Sequence, residues 1–320
     1  MVIDMIEKEF KNLEEQISIL KDKGLIINNE EYAKEILLKE NYFFLNGYRH
    51  LFVEGTKERK YIKGTTFEEV YSLFLFDRTL RNIFFKNLLI IENNLKSIIS
   101  YQLSKKYGYR EKDYLKERNF TNNPNKKRQV KDLLTKMKRQ IRINGREHTA
   151  TLHYANNYGY IPMWILVKVL SFGIVSEMYS ILKEEDQIQI AKIYHLEKEE
   201  LISYLPILAN YRNLCAHEDI LFDNRTQKTI DDTVYHQLLN IIKIDGEYIN
   251  GKNDLFSLLI VMKFMLSKEE FKNMMLEIEN AVLTLDYNIR SIPLEKVLNK
   301  MGFPNNWLDL RKIERSFDNE

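Results

Sequence analysis

The chain carries one cysteine, Cys215, in 320 residues. An internal disulfide framework and a metal cluster built on several thiolates are therefore excluded, and a reducing compartment is the expected setting. Proline (5) and glycine (11) are sparse, which removes the punctuation that a strand-and-turn architecture needs. Long apolar runs are missing as well. Asn87 to Ile91 and Leu255 to Met262 are soon broken by charge, far short of the roughly 20 residues that span a bilayer. Met1 to Leu20 is a charged amphipathic pattern rather than a leader, so the expectation is a cytoplasmic protein with no membrane partner. Neither charge sign dominates: the formal net charge is +2, and any nucleic-acid surface has to come from local clustering.

What the chain does have is 44% hydrophobic residues, enough to bury a large core. Ile3, Ile6, Phe10, Leu13, Ile17 and Leu20 recur at helical spacing, with Gly24 as a stop. Asn29 to Lys39 opens a second helix, and Gly47 is a candidate break in the aromatic segment that follows. Val70, Phe74, Leu80, Phe84, Leu88, Ile91, Leu95, Ile98 and Leu103 keep a three-to-four spacing, which predicts one long or bent helix pair from Phe67 to Tyr107. Pro162 suits a first turn and Ser171 to Gly173 a break; Leu201 to Cys215 is helical, with Pro206 bending it or near its start. Helices around 254–266, 268–285 and 293–301 complete an all-α chain. The expected division is 1–66 as N-terminal helices, 67–230 as a helical core with a basic insert around 110–148, and 231–320 as a C-terminal helical extension.

Arg212-Asn-Leu-Cys-Ala-His217 holds the candidate chemistry. Arg142/His148 and Arg146/His153 have similar spacings, but they start in a basic, polar stretch, whereas Arg212 and His217 end an apolar helix that can hold them firmly. Histidine as a residue type changes charge near neutral pH and can take a proton from a ribose 2′-hydroxyl or give one to the departing 5′-oxygen. Arginine stays charged and offers a planar fork of donors for the scissile phosphate. DNA lacks the internal 2′-hydroxyl, so the substrate is RNA. An offset of five on an ideal helix leaves the two side chains roughly 140° apart. A helix end reconciles them, or a two-fold homodimer brings two pairs to one seam, one histidine serving as base and its mate as acid. Asn213 is a candidate for orienting His217 or touching phosphate. No metal and no cofactor enter this reading: Asp231-Asp232 and Glu184-Glu-Asp186 read as capping or solvated charge, and Cys215 as a small apolar filler.

Lys126, Lys127, Arg128, Lys131, Lys136, Lys138, Arg139, Arg142 and Arg146 have only Asp132 among them. This cluster is the expected RNA-binding surface, gaining affinity by releasing counterions from phosphate, with Tyr154 or Tyr158 nearby to stack a base. His153 and Trp164 are expected to pack in the core.

Five blocks, in order, resemble the Abi-like family of abortive-infection proteins, the group that includes AbiD and AbiF. They are Tyr42-Phe-Phe-Leu-Asn-Gly-Tyr-Arg49; Phe76-Asp-Arg-Thr-Leu-Arg81 with Ile91-Glu-Asn-Asn-Leu-Lys96; His153-Tyr-Ala-Asn-Asn-Tyr-Gly-Tyr-Ile-Pro-Met-Trp164; Leu170-Ser-Phe-Gly173; and Tyr211-Arg-Asn-Leu-Cys-Ala-His217. The resemblance covers roughly residues 30–225 and implies a HEPN-type helical bundle with terminal helical additions. It also implies a metal-independent antiphage endoribonuclease or toxin, with Arg212 and His217 on the catalytic motif and Asn213 at the polar position after the arginine. A restraining small RNA fits such a setting. The rival expectation is a non-catalytic RNA-binding or sensor module that holds a structured small RNA or a phage component.

Overall fold

The computed structural model describes residues 9–55, 59–144 and 148–314. Among the described residues the chain is all-α apart from one two-stranded ribbon. In chain order the helices are α1 (Leu13–Asp22), α2 (Glu30–Glu40), α3 (Phe43–Tyr48), α4 (Phe67–Tyr107) and α5 (Glu111–Tyr114). Then come α6 (Lys127–Asn144), α7 (Thr149–Tyr158), α8 (Met163–Val169), α9 (Phe172–Ser180), α10 (Glu184–Lys192) and α11 (Lys198–Ala216). The last four are α12 (Val234–Leu238), α13 (Leu255–Met265), α14 (Lys268–Asn288) and α15 (Leu294–Met301). The ribbon, β1 (Lys243–Ile244) and β2 (Glu247–Tyr248), turns on Asp245 (φ 51°) and Gly246 (φ 86°), the Asp-Gly pair whose left-handed torsions match the strand twist. Among the described residues no helix is long and apolar enough to cross a membrane.

Two compact units divide the chain: residues up to Leu80 with Glu277–Lys300, and Arg81–Leu276 with the residues from Met301 on. In the first, α1 packs on α2. Asn12 caps α1 by accepting from Glu15 N–H while the Glu15 carboxylate accepts the Asn12 N–H, so the helix starts there and Phe10, 89% exposed, stands before it. Ile3 and Ile6 lie outside the described residues. Gly24 (φ 87°) follows the end of α1 as expected. The break expected at Gly47 falls earlier, at Asn41 (φ 67°), and Gly47 sits inside α3. Glu40 holds Arg78 by both terminal nitrogens (2.9 and 2.7 Å), and the guanidinium lies over Phe74.

In the second unit α13 is the innermost element, with Phe264 its one residue not fully buried. Its Lys263 is satisfied by the carbonyls of Leu310 (2.8 Å) and Ile313 (2.6 Å). Against α13 packs α11, which also meets α9 and α10. Tyr204, Leu205, Leu208, Tyr211, Leu214 and Cys215 form its buried face, and Pro206 lies inside the helix without ending it. Residues 67–107 form one unbroken helix rather than a pair.

Candidate functional site

The apolar face of α11 is seated in the core, so its last turn is placed by packing, and that turn carries Arg212, Asn213 and His217. His217 is the C-cap residue: its N–H closes the final helical bond to the Asn213 carbonyl (3.0 Å). The chain then leaves through a Schellman turn, with Glu218 N–H on the Cys215 carbonyl and Asp219 N–H on the Leu214 carbonyl. Glu218 takes the left-handed position (φ 57°) usually held by glycine. Arg81, 3% exposed, donates from Nη1 to the Asp219 carbonyl (3.3 Å) and so fixes the exit. His217 is exposed, and among the described residues its imidazole has no hydrogen-bond or ion-pair partner. α11 ends at His217. Asn213, also exposed, reaches His217 through its backbone carbonyl, and its carboxamide makes no hydrogen bond among the described residues.

Arg212 is held from α4. Its Nε donates to Glu92 Oε2 (2.9 Å), and the guanidinium lies 5.7 Å from the centre of the Phe85 ring. Both terminal amino groups have no protein partner among the described residues, and the side chain is 29% exposed. Glu92 is buried and also accepts from Lys96 Nζ (2.6 Å) on the next turn. One carboxylate thus serves two cations, and the group carries a net positive charge with an arginine fork free for a phosphate. Glu92 and Lys96 were not singled out from the sequence. Their signal was an acid and a base four apart inside Ile91-Glu-Asn-Asn-Leu-Lys96.

Glu92 and Lys96 line a groove of about 570 Å³ between α4 and α8, with Asn93, Ser97, Trp164 and Lys168 along it. Trp164 is 40% exposed and His153 is exposed, bonded to Asn157 (3.0 Å). The core placement expected for both is therefore corrected: α7 buries only Thr151 and leaves His153 outside, and on α8 Trp164 is exposed between the buried Met163 and Ile165. Trp164 ends a continuous row of rings. Centroids are 5.2 Å apart for Tyr154–Tyr158, 6.4 Å for Tyr158–Tyr160, 5.8 Å for Tyr160–Tyr109 and 5.5 Å for Tyr109–Trp164. Arg110 lies over Tyr160 (4.9 Å) and Tyr109 (5.8 Å). The row is braced from α5, where Tyr114 donates to the Ile161 carbonyl (2.7 Å), and Met163 N–H is accepted by the Tyr109 carbonyl (3.2 Å). Desolvation and the neighbouring Tyr109 push the Tyr160 phenol up, and Arg110 opposes them.

The basic cluster is the polar face of α6, whose opposite face buries Val130, Leu133, Leu134 and Met137. At about 100° per residue, Lys127, Lys131, Lys138 and Arg142 fall within roughly 60° of one another, flanked by Arg128 and Arg139. All six are exposed. Arg128 lies 3.8 Å from Asp132 and Lys136 pairs with Glu177 (2.6 Å). Lys126 stands apart from the row, half-buried, its Nζ donating to the Ser180 carbonyl at the end of α9 (2.8 Å). Arg146 lies outside the described residues. α9 packs against both α6 and α11.

In the acidic clusters most carboxylates are paired, and Asp231 is exposed. Asp186, in the first turn of α10, is bound by Lys106 (2.6 Å) and the Tyr107 hydroxyl (2.6 Å), and Asp232 by Lys243 and Lys252. Cys215 is buried and forms no disulfide.

These features define an all-helical protein in which an exposed histidine ends a core helix next to a cationic groove. The chain belongs to the Abi-like protein family, whose sequence pattern matches residues 35–223, ending shortly after His217. Membership implies a role in abortive infection, the defence in which an infected cell halts phage spread. No curated protein and no solved structure matches the chain.

Proposed function

We propose that this protein is a metal-independent endoribonuclease of the HEPN type, acting in abortive infection, with Arg212 and His217 at the scissile phosphate. In the proposed step the 2′-oxygen forms a bond to the adjacent phosphorus and the bond from phosphorus to the 5′-oxygen breaks. The products are a 2′,3′-cyclic phosphate and a 5′-hydroxyl. The proton leaves the 2′-oxygen and a proton reaches the 5′-oxygen, so no oxidant or other co-reactant is needed. His217 is the group for one of these transfers, and in a homodimer the second copy's imidazole serves the other. Arg212, fixed at Nε, offers its two terminal amino groups to the non-bridging oxygens as charge builds. The observation that carries the reading is an exposed imidazole at the cap of α11, unpartnered among the described residues, five residues beyond an arginine anchored at Nε.

The test is cleavage of RNA in EDTA with assay of the ends. Wild type is expected to leave a cyclic phosphate. His217→Ala is expected to lose about 10²–10⁴-fold in rate, with a stability change within about 0.5 kcal/mol, as for an exposed side chain. A folded His217→Ala protein with full activity overturns the proposal.

The unpartnered cations of α6 favour a second reading, a helical module that binds RNA without cutting it. It predicts that His217→Ala leaves the defence phenotype intact while neutralising Lys127, Lys131, Lys138 and Arg142 abolishes both RNA retention and defence.

A further inference from the structure

The row of rings from Tyr154 to Trp164 does not belong to the proposed cleavage step, yet it runs into the groove that Glu92 and Lys96 share with Trp164. Single exposed rings are ordinary, but here three neighbours in one row are open to solvent together, Tyr158 57%, Trp164 40% and Tyr109 38% exposed. Cations accompany them: Arg110 over two of the rings, Lys168 in the same groove, and Lys105 in the adjoining depression of about 440 Å³ that Trp164 also lines. In that depression the Ser104 hydroxyl is buried with no hydrogen-bond partner. Glu92 is the one acid lining either space among the described residues, and two cations neutralise it.

We propose that Tyr158, Tyr160, Tyr109 and Trp164 are a stacking track for the unpaired bases of single-stranded RNA, leading its backbone past Arg110 and Lys168 to Lys96 and Arg212. Resting on the ribonuclease reading, this names its substrate class. Sequence-tolerant binding of a single strand needs π faces beside a cationic path, since every base has a face and every nucleotide a phosphate. A duplex is refused because the faces of its bases are already covered by their neighbours. The row also explains why Glu111 and Tyr114 grip Ile161 from both sides: a track has to hold its rings in fixed order.

The chain provides its own reporter, since of its two tryptophans Trp307 is 4% exposed and Trp164 is 40% exposed. The probe is a 2′-O-methyl oligoadenylate of about 12 nucleotides, a length within the range that single-strand sites hold. It lacks the 2′-hydroxyl nucleophile, so binding is read apart from cleavage. Wild-type emission is expected to be quenched to saturation, and the same strand annealed to its complement is expected not to quench. Trp164→Phe, which keeps a ring, is expected to retain binding by anisotropy, whereas Trp164→Ala and Tyr160→Ala each weaken it by about tenfold or more. Unquenched emission together with full affinity in both alanine variants overturns the track, even if RNA is cut. Quenching with no cleavage of an unmodified strand upholds the track and sinks the ribonuclease reading instead.

Discussion

Glu92 and Arg212, 120 residues apart in the chain, meet at 2.9 Å through Oε2 and Nε. Binding at Nε aims the guanidinium without consuming its terminal donors, so the carboxylate acts as a positioning group for the arginine. Lys96 occupies the other oxygen of the same carboxylate (2.6 Å).

Glu92→Gln is expected to lower both stability and cleavage. It leaves Lys96, 11% exposed at its side chain, without its counter-charge; breaking a buried pair costs about 3–5 kcal/mol, discounted to about 2–3 here because Arg212 is partly solvated. The coupling is measured by a double-mutant cycle with Arg212→Lys on the cleavage rate. If Glu92 acts through Arg212, the double variant loses less than the sum of the singles by about 1 kcal/mol. Strict additivity would mean that Glu92 supports only the fold.

The cap that presents His217 stores strain in one residue. Glu218 sits at φ 57° with a Cβ that a left-handed residue pays for. Glu218→Gly is expected to raise the unfolding free energy by about 0.5–1 kcal/mol, read by urea denaturation, while cleavage stays unchanged because both Schellman bonds are backbone bonds. A loss of stability would show that the glutamate side chain, not the turn, holds the exit.

The same glutamate marks where the sequence stops being informative. The helix and its apolar seat are plain in Leu201 to Cys215, but the end at His217 has no glycine to announce it; the stop comes from Arg81 gripping Asp219, 138 residues away. Glu92–Arg212 is equally nonlocal. By contrast, the Asn12/Glu15 capping box and the Asp245-Gly246 turn were local signals, masked respectively by a helical spacing that continued through Phe10 and by strands of only two residues. His153 and Trp164 mislead for a different reason: aromatic character predicts burial on average, and only the packing of α7 and α8 leaves these two rings outside.

For the cationic face of α6, charge rather than shape is the expected source of affinity. Replacing Lys127, Lys131, Lys138 and Arg142 by Gln keeps good helix formers on an exposed face, so the melting temperature is expected to hold. If the row contacts an RNA strand, log K against log salt becomes shallower by about 2–3, the loss of four phosphate contacts at roughly 0.7 each. KM is expected to rise with kcat unchanged, because these contacts are made equally before and during the reaction. An unaltered salt slope removes α6 from the RNA path.

Acid sensitivity is expected to centre on His236, which is buried and neutral. Its Nδ1 accepts from Thr233 N–H (3.0 Å) and its Nε2 donates to the Gly251 carbonyl (2.9 Å), so a second proton on the ring would oppose the Thr233 N–H. Burial pushes its pKa below the ordinary 6.5, Lys252 adds to the shift, and the Gly251 carbonyl and Asp232 oppose it. Between that lowered value and 6.5 the unfolded chain binds more protons than the folded one, so stability rises with pH there. The contribution is complete above about pH 6.5 and declines as pH falls toward the folded value. Urea midpoints measured from pH 7 downward are expected to fall in wild type and to fall less in His236→Gln, whose amide does not titrate. Equal acid slopes for the two proteins would assign the sensitivity to other groups.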